Sequence, residues 1–259
     1  MKDIAIITGA SSGIGLEMAK LFARDRIDLL IVARDEQKLL GIKETLEEQH
    51  KIKVFVVAAD LSSAKGMQAI HDTVTSHGLF VKYLVNNAGF GDYGAFIDRS
   101  IEKYREMIGL NIMGLTELTY HYGKEMVRHG KGRILNVASM AGMQPDPNFA
   151  VYGATKAYVI SMTEAIHKEF EKTGVTVTVL SPGATATNFV DRADMGNSRL
   201  FEKGVMSSQE VARAGYSGMM IGKLHVVPGF KNKLLAFISG ITPSGKLRLD
   251  IAAKVFASK

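Results

Sequence analysis

D-I-A-I-I-T-G-A-S-S-G-I-G, from Asp3 to Gly15, passes from an apolar run straight into a glycine-rich turn. Asp3 to Thr8 is short, rich in β-branched residues and ended by glycine, the pattern of a strand buried on both faces of a parallel sheet. Beyond the turn, Ile14, Met18, Leu21 and Phe22 recur at helical spacing, so the glycines join a strand to a helix. Gly9, Gly13 and Gly15 let the backbone turn tightly and approach a ligand. With Ser11, Ser12 and Ile14 they bring a helix N-terminus, with its unpaired N–H groups and positive dipole end, to where a pyrophosphate can bind. A glycine triplet alone also fits a plain tight turn; the strand before it and the helix after it favour the phosphate-binding form.

Asp28 to Ala33 reads as a second strand, with Arg34 just beyond its end and Lys38 one helical turn further on. In dinucleotide folds an acid near this point accepts the ribose hydroxyls, whereas an arginine accommodates a 2′-phosphate. Arg34 therefore favours NADP(H), with NAD(H) as the alternative, and Asp35 reads as the cap of a helix Glu36 to Gln49. Ile52 to Ala59 is a third strand, followed by Asp60 and Leu61 at the carboxyl edge of the sheet, where ligands of open α/β sheets lie. Asp60 fits either the adenine amino group or the cap of the helix from Ser63. A fourth strand, Tyr83 to Val85, runs into N-N-A-G, in which Asn87, Ala88 and Gly89 are small enough for cofactor contact or make a simple turn.

Ile101 to Arg128 has the periodicity of one long helix, with Tyr104, Ile108, Asn111, Ile112 and Leu115 on one face. Asn111 is the polar exception there and needs partners: it either anchors water beside Lys156 or caps an irregular turn. Gly132 to Ser139 is a fifth strand that delivers Ser139 to the carboxyl edge. The helix Val151 to Lys172 carries Tyr152 and Lys156 four residues apart, hence on one face. A phenol loses its proton near pH ~10, and a neighbouring ammonium stabilises the phenolate, so the pair predicts a Tyr152 moved toward neutrality. The same pair also occurs as plain surface decoration. A sixth strand, Val175 to Ser181, ends in P-G-A-T-A-T, containing Pro182, Gly183, Thr185 and Thr187.

The 259 residues, 46% of them hydrophobic, suffice for one large α/β domain. With no cysteine, disulfides, thiolate metal sites and thiol nucleophiles are excluded, and no metal site is expected. The N-terminus reads as a first strand, without the longer apolar stretch of a signal peptide, and no run reaches the ~20 apolar residues of a membrane span; a cytoplasmic protein is expected. The net charge of +6 sits in the tail: from Lys223 onward seven basic residues face the single acid Asp250, leaving 25 of each sign before it. No nucleic-acid motif accompanies this charge, and no nucleic-acid partner is expected.

In order, T-G-x-x-x-G-x-G, N-N-A-G, an Asn on the next helix, Ser, Y-x-x-x-K thirteen residues on and P-G-x-x-x-T resemble the short-chain dehydrogenase/reductase family over about residues 3 to 190. The resemblance implies a Rossmann-type, doubly wound parallel sheet of order 3-2-1-4-5-6-7 with helices on both faces, and NAD(P)-dependent hydride transfer between an alcohol and a carbonyl. It implies that Ser139 orients the carbonyl, Tyr152 is acid or base, Lys156 binds the ribose and tunes Tyr152, and Asn111 organises a proton relay. Thr185 and Thr187 would hold the carboxamide and pyrophosphate.

Phe90, Tyr93, Met140, Met143, Phe149, Phe189 and Met195 give the variable segments an apolar character suited to a 3-oxoacyl chain or a hydrophobic ketone, though such residues also serve as core. Gly196 and Gly204 bracket a candidate lid. The domain is expected to span residues 1–228, with 229–259 a basic amphipathic extension on or beside it. There Phe230, Leu234, Phe237 and Ile238 form one stripe beside Lys231 and Lys233, fit for a peripheral membrane surface, an acyl carrier protein, or packing against the body. A homodimer through the long helices is expected, and the extension puts a tetramer in doubt. The rival readings are a nucleotide-binding sensor without turnover and a membrane-peripheral binding protein.

Overall fold

The structure is a computed structural model that describes residues 1–187, 193, 205–241, 245 and 249. Strands β1 (Lys2–Thr8), β2 (Asp28–Ala33), β3 (Val54–Ala58), β4 (Leu79–Asn86), β5 (Gly132–Val137) and β6 (Val175–Leu180) alternate with helices. These are α1 (Gly13–Arg24), α2 (Glu36–His50), α3 (Ala64–Ser76), α4 (Ile101–Ile108), α5 (Leu115–His129) and α6 (Ala150–Glu169). A two-strand ribbon, β7 (Thr185–Ala186) and β8 (Met206–Ser207), leads to α7 (Ser208–Met220), β9 (His225–Val226) and α8 (Phe230–Ile241). The main sheet has seven parallel strands in the order β3-β2-β1-β4-β5-β6-β9, the predicted order with β9 in the seventh place.

Strand alternation divides the core. Ala5, Ile7, Leu29 and Ile31 point to the layer that holds Met18 and Phe22 of α1 and Val211 and Met219 of α7. Ile4, Ile6, Leu30 and Val32 point to the other, against Met67 and Ile70 of α3 and Leu118 and Tyr122 of α5. A fully buried Leu, Ile or Val contributes roughly 1.5–3 kcal/mol, which explains the unbroken apolar runs Ile4 to Ile7 of β1 and Leu29 to Ala33 of β2. Local signals fix the helix starts: Asp35 accepts from the backbone N–H of Lys38 at the head of α2, Ser63 from Gly66 at α3, and Ser207 and Glu210 form a reciprocal capping box at α7. Asp60 does not cap α3; its carboxylate accepts instead from Ser62 N–H (2.9 Å) and Ser62 Oγ (2.8 Å).

Two elements differ most from the sequence reading. The fourth strand begins at Leu79, four residues before the predicted start. The predicted helix Ile101 to Arg128 is two α-helices joined by a π-helical turn, Gly109–Gly114, in which Asn111 lies. A Cβ on Gly114 would stand 2.5 Å from the Leu61 carbonyl oxygen, so glycine is what lets the turn press against the loop after β3. Among the described residues no helix is long and apolar enough to cross a membrane.

Candidate active site

The carboxyl ends of β1, β4, β5 and β6 open onto one edge, and the predicted residues gather there. At the glycine turn, Gly9 and Gly13 adopt φ of +66° and +56°. A Cβ on Gly15 would lie 2.3 Å from the Gly9 carbonyl oxygen, so that position is confined to glycine by close packing. Ser12 is the N-cap of α1 yet makes no side-chain cap bond, which leaves the first-turn N–H groups to an external acceptor. Ser11, Ile14 and Thr187 lie in the same neighbourhood, with Thr187 Cγ2 2.9 Å from a Cβ built on Gly13. This cradle fits the pyrophosphate of a dinucleotide.

Thr8, which the motif reading passed over, ties the turn to N-N-A-G. Its Oγ1 accepts from the N–H groups of Asn87 and Ala88, both at 2.9 Å, and donates to the Val85 carbonyl. Asn87 Nδ2 donates back to the Thr8 carbonyl at 2.9 Å. Beneath lies a buried chain of amides and hydroxyls: Asn86 Nδ2 donates to Thr119 Oγ1 and Asn136 Oδ1, and Asn136 Nδ2 to Thr163 Oγ1. Polar residues inside apolar strand runs are the sequence signal for such a network.

Arg34 and Lys38 are exposed beyond β2, but they do not act together: Lys38 Nζ pairs with Asp35 at 2.9 Å. Arg34 instead lies within electrostatic reach of Asp60, whose carboxyl is held below its usual range first by the Ser62 N–H and in smaller part by Arg34. An exposed guanidinium at this edge suits a 2′-phosphate. The Leu61 side chain is buried in the core, so only its backbone faces the edge. Pro182 accepts from Met140 N–H (2.9 Å), and the backbone of Gly183 lies against Asn232. Thr185 is buried, with its hydroxyl donating to the Gly183 carbonyl at 2.9 Å.

At the centre stand Ser139, Tyr152, Lys156 and Asn111. Tyr152 and Lys156 face inward from α6, 6% and 4% exposed, with Lys156 Nζ 5.7 Å from the phenol ring centroid. Ser139 caps the 3-10 turn Met140–Met143, accepting from Ala141 N–H, and shares a hydrogen bond with Tyr152. Lys156 Nζ donates to the Val137 carbonyl at 2.9 Å. Asn111 is fully buried: Nδ2 donates to the Phe90 carbonyl (2.9 Å) and Thr155 Oγ1 (3.1 Å), and Oδ1 accepts from Phe90 N–H (3.2 Å). It therefore sits in an irregular turn and clamps the loop after β4 to α6. It also borders Lys156, since a Cβ on Gly89 would lie 2.9 Å from Asn111 Oδ1 and 3.4 Å from Lys156 Nζ.

The electrostatics correct one expectation. Burial pushes the Tyr152 phenol above its usual value, the bond with Ser139 offsetting part of this, so in the chain alone Lys156 does not bring it toward neutrality. The reason is shared desolvation: burial also pulls Lys156 down to about 8. Asp146, buried in the loop before α6, is a second residue the sequence reading missed. Burial raises its carboxyl to about 7, Gln144 Nε2 donates to Oδ1 at 3.3 Å, and Oδ2 has no hydrogen-bond partner among the described residues.

The predicted apolar residues surround the phenol in part. Phe149 stacks on Tyr152 (centroids 4.3 Å apart) and meets Tyr93 edge-on at 6.2 Å, with Phe90 packed alongside. Tyr93 N–H donates to the Ala193 carbonyl, and the neighbouring Asp92 is gripped by Arg99 Nε (2.8 Å) and Lys103. Burial alone would raise the Asp92 carboxyl, but the two cations outweigh it and hold it low. Phe189, Met195 and the candidate lid glycines Gly196 and Gly204 lie outside the described residues.

Known proteins share this sequence pattern and fold. The sequence profile of the short chain dehydrogenases covers residues 3–197. An uncharacterized oxidoreductase of Staphylococcus epidermidis is 33% identical over 201 residues, 78% of this chain and 86% of its own. A 7beta-hydroxysteroid dehydrogenase of Mediterraneibacter gnavus is 33% identical over 182 residues, 70% of this chain and 68% of its own. Among solved structures, a short-chain dehydrogenase from Sphingobium yanoikuyae in complex with NADPH superposes with a TM-score of 0.83 at 30% identity, covering 93% of each chain.

Proposed function

The chain belongs to the short chain dehydrogenase family and is an NAD(P)-dependent oxidoreductase, and from that premise we propose that it reduces an apolar ketone, or oxidises the matching alcohol, with NADP(H) preferred. The observation that carries this reading is the cluster of buried Tyr152 and Lys156 with half-buried Ser139, at the sheet edge that also holds the N-terminus of α1, uncapped by a side chain. A nicotinamide cofactor, when bound, supplies or accepts the hydride. The Ser139 and Tyr152 hydroxyls take the substrate oxygen. As negative charge builds there their hydrogen bonds strengthen, and Tyr152 gives up its proton. A phenol that burial keeps protonated enters this step as the donor. Lys156 would hold the ribose and, as a cation, stabilise the phenolate left behind. Asn111, by fixing Phe90 and Thr155, keeps the loop after β4 in register with α6.

Arg34 supports the phosphorylated cofactor, and the aromatic wall of Phe90, Tyr93 and Phe149 supports a substrate with a ring-shaped or long aliphatic body. The steroid activity named for the Mediterraneibacter relative points the same way. The reading includes a homodimer through α4, α5 and α6, where Ile101, Met113, Tyr120 and Tyr158 are exposed. It also includes a surface contact, with a membrane or an acyl carrier, through residues 229–259. No observation favours a sensor without turnover.

The test is NADPH oxidation over a panel of ring-shaped and aliphatic ketones, with NADH alongside. Tyr152→Phe is expected to lower turnover at least ~10²-fold while NADPH binding, followed by cofactor fluorescence, stays near wild type. Wild-type turnover in that variant overturns the assignment.

A further inference from the structure

α8 is amphipathic in the inverted sense. Its inward residues, Asn232 and Ala236, are small or polar, and Asn232 Nδ2 donates to the Pro228 carbonyl at 2.8 Å. The helix thus lies on the Pro182–Gly183 loop, where a Cβ on Gly183 would meet Asn232 Nδ2 at 2.7 Å, and packs beside the Met140–Met143 turn. Outward it presents Phe230, Leu234, Leu235 and Phe237, which are 82%, 50%, 58% and 65% exposed. At 100° per residue, Phe230, Leu234 and Phe237 share one stripe, and Lys231 and Lys233, both exposed, flank it on opposite sides.

An ordinary surface helix buries its apolar stripe against the body and turns its charges to water. Here the body takes the polar side, so the stripe is shaped for an external apolar phase. The charge selects which phase. From Val211 to Leu249 the sequence contains no acid but holds Arg213, Lys223, Lys231, Lys233, Lys246 and Arg248. A second copy of this helix laid against it would bring Lys231 and Lys233 to cations, since Phe230–Ile241 itself holds no carboxylate to pair them. Anionic headgroups supply the opposite charge and acyl chains the apolar medium, the combination that holds interfacial helices.

We propose that α8 docks the protein on an anionic lipid surface, with Phe230, Leu234 and Phe237 among the acyl chains and Lys231 and Lys233 at the headgroups. Docked in this way, the side of the molecule carrying the Met140–Met143 turn and the Pro182–Gly183 loop lies against the bilayer. A reductase so placed draws its substrate from lipid, although the docking itself stands apart from any activity.

The experiment is co-sedimentation of the full chain with phosphatidylcholine vesicles, with and without phosphatidylglycerol, at low and high salt. Binding is expected only with phosphatidylglycerol and is expected to weaken with salt. Lys231→Gln combined with Lys233→Gln should lower it about 30-fold, and Phe230→Ser, Leu234→Ser and Phe237→Ser together should abolish it. Thermal melts of both variants should match wild type, because the altered side chains face outward; if the apolar variant unfolds, Phe237→Ser alone carries the test. Absence of wild-type binding at low salt overturns the proposal, as does equal binding to neutral vesicles. Dimerisation that the apolar variant abolishes, without vesicle binding, assigns the face to a second copy. Capture of a purified acyl carrier protein without vesicle binding assigns it to a soluble acidic partner.

Discussion

Asp146 shows at residue scale how one buried carboxyl shapes stability within electrostatic reach of Tyr152. Burial raises its pKa to about 7, so between pH ~4 and ~7 the folded protein holds a proton that the unfolded chain has released. Its contribution therefore falls as pH rises through that window. Asp146→Asn is expected to match wild type at pH 4 and to be more stable by about 2–4 kcal/mol at pH 8, measured by urea unfolding at each pH. A constant difference across the range would refute the assignment. The same residue marks a limit of sequence reading: nothing in Q-P-D-P-N distinguishes a buried acid from a turn residue facing water. Tyr152, Lys156 and Ser139 were legible because their spacing, on a helix and across one loop, suffices to bring them together. The direction of the Tyr152 shift was not, because it depends on how far solvent is excluded from both partners.

At the scale of elements, the strands and most helices were legible from apolar runs and caps, since burial on both faces and unpaired helix ends impose composition directly. Asp35 and Ser63 cap where the sequence placed helix starts. The π-helical turn was hidden: Gly109 and Gly114 fit a weak point in a helix, and the Leu61 carbonyl that fills the space beside Gly114 comes from a loop about 50 residues away. Gly114→Ala is expected to cost about 1–3 kcal/mol, because the obstructing atom is backbone. Gly41→Ala, in the exposed middle of α2 with open space around it, should instead gain about 0.5–1 kcal/mol. Thermal unfolding of the two variants side by side checks the opposite signs; stabilisation by Gly114→Ala would show that the turn does not need its glycine.

For the whole molecule, the homodimer is the assembly to test. Met113 (61% exposed) and Tyr120 (68%) lie outward along the π turn and α5, and an apolar face of this kind on a helix suits a twofold contact. Met113→Asp with Tyr120→Asp is expected to convert the dimer to monomer in sedimentation velocity, with an unchanged circular dichroism spectrum. A wild-type monomer at micromolar concentration would remove the dimer from the reading. The Thr8 clamp acts at the same scale, because β1 and β4 meet where the two halves of the sheet diverge, and the clamp fastens the first half's glycine turn to the second half's N-N-A-G. On the proposed binding of the coenzyme in that crevice, it meets walls already locked, so little of its binding energy is lost to freezing them. The amide protons of Asn87 and Ala88 should accordingly exchange with deuterium as slowly before the coenzyme arrives as after.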